Sequence, residues 1–249
     1  MEIDWISARR RDVASIDHVG ALSQVLEGWT AALGFDCYGF CMRQATSLTD
    51  PDFMVVENCP ESFRDVYIAL DGLRTDPVLL QCYEQAGPVF WDEAFAAVEP
   101  GSAEARYVDA IRAIGLRAGL NCAHRGARGQ LSVLAMALER DDAPARAHVR
   151  TYAPQVIALG TLVHDAATRL LVDDPVHALT PRERECLLWA AEGCSARVTA
   201  ERLAITERTV TFHLRNVNAK LGVSSRQQAV ARAVSLGILE PRPQTMPLD

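Results

Sequence analysis

The residues best spaced to do chemistry lie between 206 and 221. Thr206 stands where a helix N-cap belongs, and Val210, Leu214, Val217 and Leu221 follow at intervals of four, three and four. That is the spacing of one buried helix stripe. The opposite stripe carries Arg208, Thr211, Arg215 and Asn218. Guanidinium, hydroxyl and amide groups along an exposed stripe are what a reader of base edges in the major groove needs, and a helix N-terminus favours a phosphate. On spacing alone the same pattern also fits a plain helical domain with a solvated polar face. A second candidate is Asp76-Pro77, an N-cap followed by proline at the first helical position. Its carboxylate serves as a cap, as a ligand acceptor, or as both.

The elements around these residues predict two domains. Four helices with short connections fit residues 180–237. Thr180-Pro181-Arg182-Glu183 reads as a capping box, and its helix buries Cys186, Leu187, Trp189 and Ala190 before stopping at Gly193. A second helix spans about Ser195–Ala204, with a tight turn at Ile205-Thr206. After the helix to Leu221, Ser224-Ser225-Arg226-Gln227 caps a last one. In the N-terminal part, helical spacing covers Val13–Leu33, Pro60–Leu70, Asp76 to about Gln85, Ser102–Ile114 and Ala147–Leu171. Strands are expected at Cys37–Met42, Phe53–Val56, Pro88–Trp91, Leu120–His124 and Leu131–Leu138, with turns at Thr49–Asp52 and Gly126–Gly129. This order predicts an α+β protein: an N-terminal α/β/α sandwich with an antiparallel sheet, joined to an all-α four-helix helix-turn-helix domain. The expected domains are 1–171 and 179–249, with 172–178 as linker. Such a sandwich can enclose a small-molecule pocket between sheet and helices.

Charge supports that division. The chain carries −7 overall, but residues 179–249 hold ten Arg/Lys against seven Asp/Glu, and the first 178 hold fifteen against twenty-five. A basic segment on an acidic chain points to nucleic acid better than the total does. The seven cysteines are odd in number and form no C-x-x-C pair, which fits free, mostly buried thiols in a reducing compartment. There is no metal spacing, Gly-rich phosphate loop or nucleophile motif, so an enzyme is not expected and no cofactor or metal is implied. Nothing is long and apolar enough to cross a membrane, and Met1–Trp5 lacks the layout of a secretion signal. A cytoplasmic location is expected.

Leu179-Thr180-Pro181-Arg182-Glu183, Gly193, Ile205–Val210, His213, Asn216 and Lys220–Val223 resemble the LuxR/FixJ-type helix-turn-helix. The resemblance gives Glu183, Leu187 and Gly193 scaffold roles and makes Thr206, Arg208, Thr211, Arg215 and Lys220 the expected DNA contacts. Cys194 stands where the family usually has Lys, and Thr199 where an apolar anchor is usual. A phosphoreceiver partner domain is not expected, because no Lys precedes Lys220 and the alternating β-α order is missing.

Residues 60–138 resemble the autoinducer-binding domain of LuxR-type quorum-sensing regulators. The carriers are Tyr67, Asp76-Pro77, Pro88, Phe90-Trp91, Gly115-Leu116, Gly119 and Gly126-Ala127-Arg128-Gly129. The resemblance implies an acyl-homoserine lactone held between sheet and helices. Asp76 would accept the ligand amide N–H, Trp91 would wall the lactone ring and Tyr67 would line the pocket. Phe63 stands where a Trp normally donates to the lactone carbonyl, and Cys59 where a Tyr is common. Val78 and Ala135 replace hydroxyl residues of some members. All four changes remove hydrogen-bonding capacity, which predicts weaker lactone recognition or a non-lactone signal. The resemblance also implies a homodimer, with the helix Ala147–Leu171 as candidate seam, on a two-fold promoter operator in double-stranded DNA, and makes RNA polymerase a candidate partner. A DNA binder that answers to no ligand is the alternative.

Overall fold

The computed structural model describes residues 3–43, 52–126, 129–171 and 179–239. The expected linker 172–178, the turn residues Thr49, Asp50 and Pro51, and Ala127 and Arg128 lie outside them. The chain forms two compact units, an N-terminal one carrying the sheet and a C-terminal one made of helices.

Strands β1 (Cys37–Arg43), β2 (Phe53–Glu57), β3 (Val89–Phe90), β4 (Ala118–Arg125) and β5 (Leu131–Leu138) form one antiparallel sheet in the order β2-β1-β5-β4-β3. Because strand side chains alternate, each strand feeds two cores. Tyr38, Phe40, Met42, Leu120, Leu134 and Met136 pack with helices α1 (Ile3–Ala14), α2 (Val19–Ala32) and α8 (Ala143–Leu170). Cys37, Ala123, Leu131, Val133 and Ala137 join a second core. Residues of helices α3 (Phe63–Ala69), α5 (Pro77–Glu84), α6 (Trp91–Ala96) and α7 (Ala103–Ala113) complete it. The four-residue helix α4 (Gly72–Thr75) lies between α3 and α5 in the chain. The α+β class and the helix–sheet–helix sandwich are as expected.

Several element boundaries differ, and four of the differences have a clear local reason. The helix expected over Val13–Leu33 is α2 alone, and α1 ahead of it, which the spacing does not predict, reaches only Ala14. The chain breaks after Ala14, and His18 starts α2 as an N-cap whose Nδ1 accepts from Ala21 N at 3.1 Å. The indole of Trp29 then donates to Asp12 and ties α2 back to α1. The helix expected from Pro60 to Leu70 begins only at Phe63, and the backbone reverses at Asp71, which adopts φ +52°. The strand expected at Pro88–Trp91 keeps only Val89 and Phe90, while Trp91 opens α6. That helix has Asp92 and Glu93 in its first turn, both paired to Arg150 at 2.9 Å. Finally, α8 starts at Ala143 rather than Ala147, because Asp142 caps it by accepting from Ala145 N at 2.7 Å.

The C-terminal unit has helices α9 (Pro181–Ala191), α10 (Ala196–Leu203), α11 (Glu207–Leu221) and α12 (Arg226–Ser235), close to the expected limits. Its stripe is as read: Val210, Val217 and Leu221 are buried and Leu214 packs against them. Trp189, expected to be buried, is half-buried and covered by the Arg202 guanidinium, 4.2 Å from the ring centre. Thr199 is buried, so the departure from an apolar residue does fall in the core. The capping box forms in full: Glu183 N donates to Thr180 Oγ1, and Thr180 N donates to Glu183 Oε2 at 2.8 Å. The same Oε2 accepts from Lys220 Nζ at 2.6 Å, which pins the start of α9 to the end of α11.

Burial works to raise the Glu183 pKa, but the Lys220 ammonium and the Thr180 N–H outweigh it and hold the carboxyl below its ordinary range. A lowered folded-state pKa contributes stability above the unfolded value, and that stability is lost as pH falls through the folded value. Glu183→Ala is therefore expected to destabilise the C-terminal unit by about 1–3 kcal/mol in urea unfolding. Glu183→Gln keeps the box and loses less, and its unfolding midpoint shows less of the wild-type drop in acid.

Candidate ligand cavity and nucleic-acid interface

The second core is not filled. Between the sheet and helices α3 to α7 lies a cavity of about 510 Å³, the size of a small-molecule site. Cys59, Phe63, Tyr67, Asp76, Val78, Trp91 and Ala135 all line it. Residues far apart in sequence thus line one cavity, from the sheet and from the helices.

Asp76 is the polar centre. Its Oδ1 accepts from Val78 N at 2.9 Å and Leu79 N at 3.2 Å, which caps α5, while Oδ2 accepts from the Tyr107 hydroxyl at 3.2 Å. One carboxylate therefore caps a helix and presents an oxygen to the cavity side. It lines the cavity, and the surrounding protein strips away much of its water. That desolvation, only partly offset by the two backbone N–H groups and Tyr107, pushes its pKa up to about 6.

Aromatic rings pack beside it. Phe63 and Tyr67 lie 5.5 Å apart, and Tyr67 meets Tyr107 edge-on at 6.0 Å. A Cβ on Gly72 would fall 2.6 Å from the Tyr67 ring, so only glycine lets α4 pass so close. Trp91 is buried and its Nε1 donates to Asn121 Oδ1 at 2.9 Å. Gly119 makes room for it: a Cβ there would sit 2.6 Å from Met136 O and 3.0 Å from the indole.

The thiols of Cys59 and Cys41 stay protonated. Cys59 lies well above its usual range, chiefly through a hydrogen bond with Cys37 and burial, and burial pushes Cys41 up to about 11. A thiol, not a thiolate, is a poor nucleophile. At one end of the cavity Phe53, Val55, Ile68, Leu73 and Tyr83 both line it and remain exposed, so the lining runs out to the surface as an apolar rim.

Sequence reasoning missed Tyr107, Asn121 and this rim. Tyr107 sits on the buried stripe of α7 with Val108 and Ile111, where it reads as ordinary core. Asn121 did leave a signal: an amide at an inward position of an otherwise apolar strand needs a partner.

In the C-terminal unit, α10 and α11 are joined by Ala204–Thr206, with Ala204 in the left-handed region at φ +52°. This is helix-turn-helix geometry. Thr206, Arg208, Thr211 and Arg215 are exposed along α11. Thr206 Oγ1 caps the helix by accepting from Thr209 N, and Thr211 Oγ1 donates to Glu207 O. Among the described residues, Arg208 and Arg215 take part in no ion pair. Two of the residues expected to face outward or to meet DNA have partners or burial within the unit. Asn218 is half-buried with Oδ1 turned inward and unpaired. Lys220, expected on DNA, has its charge matched by Glu183 within the unit. Phe212, not anticipated, is exposed between Thr211 and His213.

A domain with a small-molecule cavity followed by a helix-turn-helix defines a ligand-responsive DNA-binding regulator. Residues 19–167 match the autoinducer binding domain, and residues 177–233 match the bacterial regulatory proteins of the luxR family. The chain belongs to the LuxR family of transcription regulators and, like its relatives, is not an enzyme. It is 33% identical to the transcriptional activator proteins AhyR of Aeromonas hydrophila and AsaR of Aeromonas salmonicida, over 97% of this chain and 94% of each of theirs. Among solved structures, Escherichia coli SdiA superposes with a TM-score of 0.81 at 26% identity, covering 95% of this chain and 99% of that one. SdiA in complex with octanoyl-rac-glycerol gives 0.79 at 25% identity, covering 98% and 100%.

The raised pKa of Asp76 fixes a sign. A carboxyl whose pKa rises on folding favours the folded state while protonated, and that contribution is lost as pH climbs from the unfolded value to the folded one. Thermal unfolding of the ligand-free N-terminal unit should show its midpoint falling between about pH 4 and pH 6, with Asp76→Asn flattening that part of the profile.

Proposed function

We propose that the chain is a cytoplasmic, homodimeric transcription regulator. Its N-terminal domain, residues 1–171, holds an acyl-homoserine lactone or a related small apolar signal, and its C-terminal domain, residues 179–249, reads a two-fold promoter operator. The observation that carries this reading is the desolvated Asp76 carboxylate on the wall of a largely apolar cavity. In such a place an unmade hydrogen bond is costly, so a ligand with an amide N–H gains both orientation and affinity. Asp76 is the acceptor, Trp91 walls the head group, and Tyr67, Phe63, Cys59, Val78 and Ala135 shape the space around it. The apolar rim accommodates the far end of an acyl chain.

A second reading has specific support. Phe63 and Cys59 supply no strong donor where the family usually has Trp and Tyr, and SdiA has been solved with an acylglycerol. A non-lactone acyl signal therefore competes with the lactone. Thermal stabilisation of the full-length protein by a panel of acyl-homoserine lactones and monoacylglycerols decides between them. A shift with lactones supports the first reading, a shift with acylglycerols alone the second, and no shift with any member contradicts both.

On the DNA side, Arg208 and Arg215 are the contacts we assign first, with Thr206 and Thr211 at the N-terminal turns of α11. Dimerisation would place two such helices on successive half-sites. The outer stripe of α8, with Thr151, Pro154 and Ile157 exposed, is the surface offered for the dimer seam. RNA polymerase is the partner that a promoter-bound activator would meet. Ligand acts by stabilising the folded, dimer-competent state and so changes operator occupancy. Arg208→Ala and Arg215→Ala should each weaken promoter binding in a gel-shift titration. Where the arginine neutralises a phosphate, its removal should also reduce the salt slope by about 1. Lys220→Ala should act through stability, with a nearly unchanged slope. Unchanged binding in both arginine variants would contradict the interface.

A further inference from the structure

Asn121 is a polar group on the cavity wall that the roles above leave unused. It lies in β4, opposite Ala135 of β5, with 7% of its surface accessible. Trp91 Nε1 donates to its Oδ1 at 2.9 Å. An indole nitrogen only donates, so this bond settles which end of the amide is oxygen and which is nitrogen. The Nδ2 end then has two N–H groups and no hydrogen-bond partner among the described residues. Asn121 lines the cavity, and Nδ2 is not among the sealed, unpartnered atoms, so it retains surface there. Its neighbours in the same row of the sheet are Val89 on one side and Ala135, with Gly39 beyond it, on the other, and none of the three carries a side-chain acceptor for the amide.

We propose that Asn121 is the specificity-determining donor of the cavity. Nδ2 donates to an oxygen on the ligand's head group, a carbonyl or ring oxygen, while Asp76 accepts the ligand's N–H. This deepens the ligand reading given above and rests on it. Phe63 has no donor, and the donor that recognises the head group comes instead from the floor of the sheet, held in place by Trp91. The signal is then an acylated amine whose head carries an oxygen acceptor. A ligand of the same shape without that acceptor leaves the amide unpaired and binds more weakly.

The test uses the full-length protein and two probes that share chain and amide: N-octanoyl homoserine lactone and N-cyclopentyl octanamide, whose ring has no oxygen. Affinities are read by isothermal titration. Wild type should prefer the lactone. Asn121→Leu should weaken lactone binding by about tenfold and leave the carbocyclic amide within about twofold. Asn121→Asp keeps an oxygen for the Trp91 indole, which guards against a variant that fails to fold, and should show the same selective loss. Equal weakening of both probes, or unchanged lactone affinity in both variants, overturns the role of Asn121 while leaving the ligand reading standing. Absence of binding of either probe to wild type overturns both.

Discussion

A carboxylate on an apolar cavity wall has to be paired or protonated, and the N-terminal unit is organised around that demand at Asp76. One oxygen holds the first N–H groups of α5 and the other holds the hydroxyl of Tyr107 on α7. The residue thus ties together two of the helices that wall the cavity. The chain's own donors leave this pairing incomplete, and the pKa rises to about 6. A ligand that donates an N–H makes up the shortfall. Occupancy and stability are then coupled through the same atoms, which is the simplest physical route from a small molecule to a regulator's folded state.

The space itself comes from strand alternation. One face of the sheet carries Tyr38, Phe40, Met42, Leu120, Leu134 and Met136 and is filled by α1, α2 and α8. The other face has Gly39, Gly119 and Ala135 at its inward positions, and these leave room where large side chains would close it. Trp91 packs against Gly119 and is braced by Asn121. The C-terminal unit solves a similar problem differently. There the buried Glu183 is satisfied within the fold by Thr180 and Lys220. Its charge holds α9 to α11, whereas the arginines of α11 form no ion pair among the described residues.

Much of this was legible in the sequence where one physical rule dominates. The capping box at Thr180 and the stripe from Val210 to Leu221 follow from spacing alone, and strands β4 and β5 from short apolar runs on either side of a glycine-rich turn. The cap at Asp76 follows from the Asp-Pro pair. The assembly of Cys59, Phe63, Tyr67, Asp76, Val78, Trp91 and Ala135 into one cavity was legible only through family resemblance, since no local pattern joins them. The misreadings have local causes. His18 and Asp142 act as caps, inside or ahead of stretches whose apolar spacing suggested other limits. Trp91 looked like the end of a strand because its aromatic character outweighed the acidic first turn that follows. Asn218 was placed by helical geometry, which says which stripe a residue occupies but not how deeply it sits, and Lys220 entered through the resemblance, which does not show its pairing with Glu183. Tyr107 could not be paired with Asp76 in advance, because the contact spans 31 positions.

The central claim is that the ligand's donor meets an ionised Asp76. Binding near pH 5.5 should then release a large fraction of one proton per ligand, falling toward zero above about pH 7. Isothermal titration in buffers of different ionisation enthalpy measures that number directly. Proton release that follows this profile and disappears in Asp76→Asn is the predicted result. Binding with no proton exchange at either pH, or release that persists in Asp76→Asn, would contradict it.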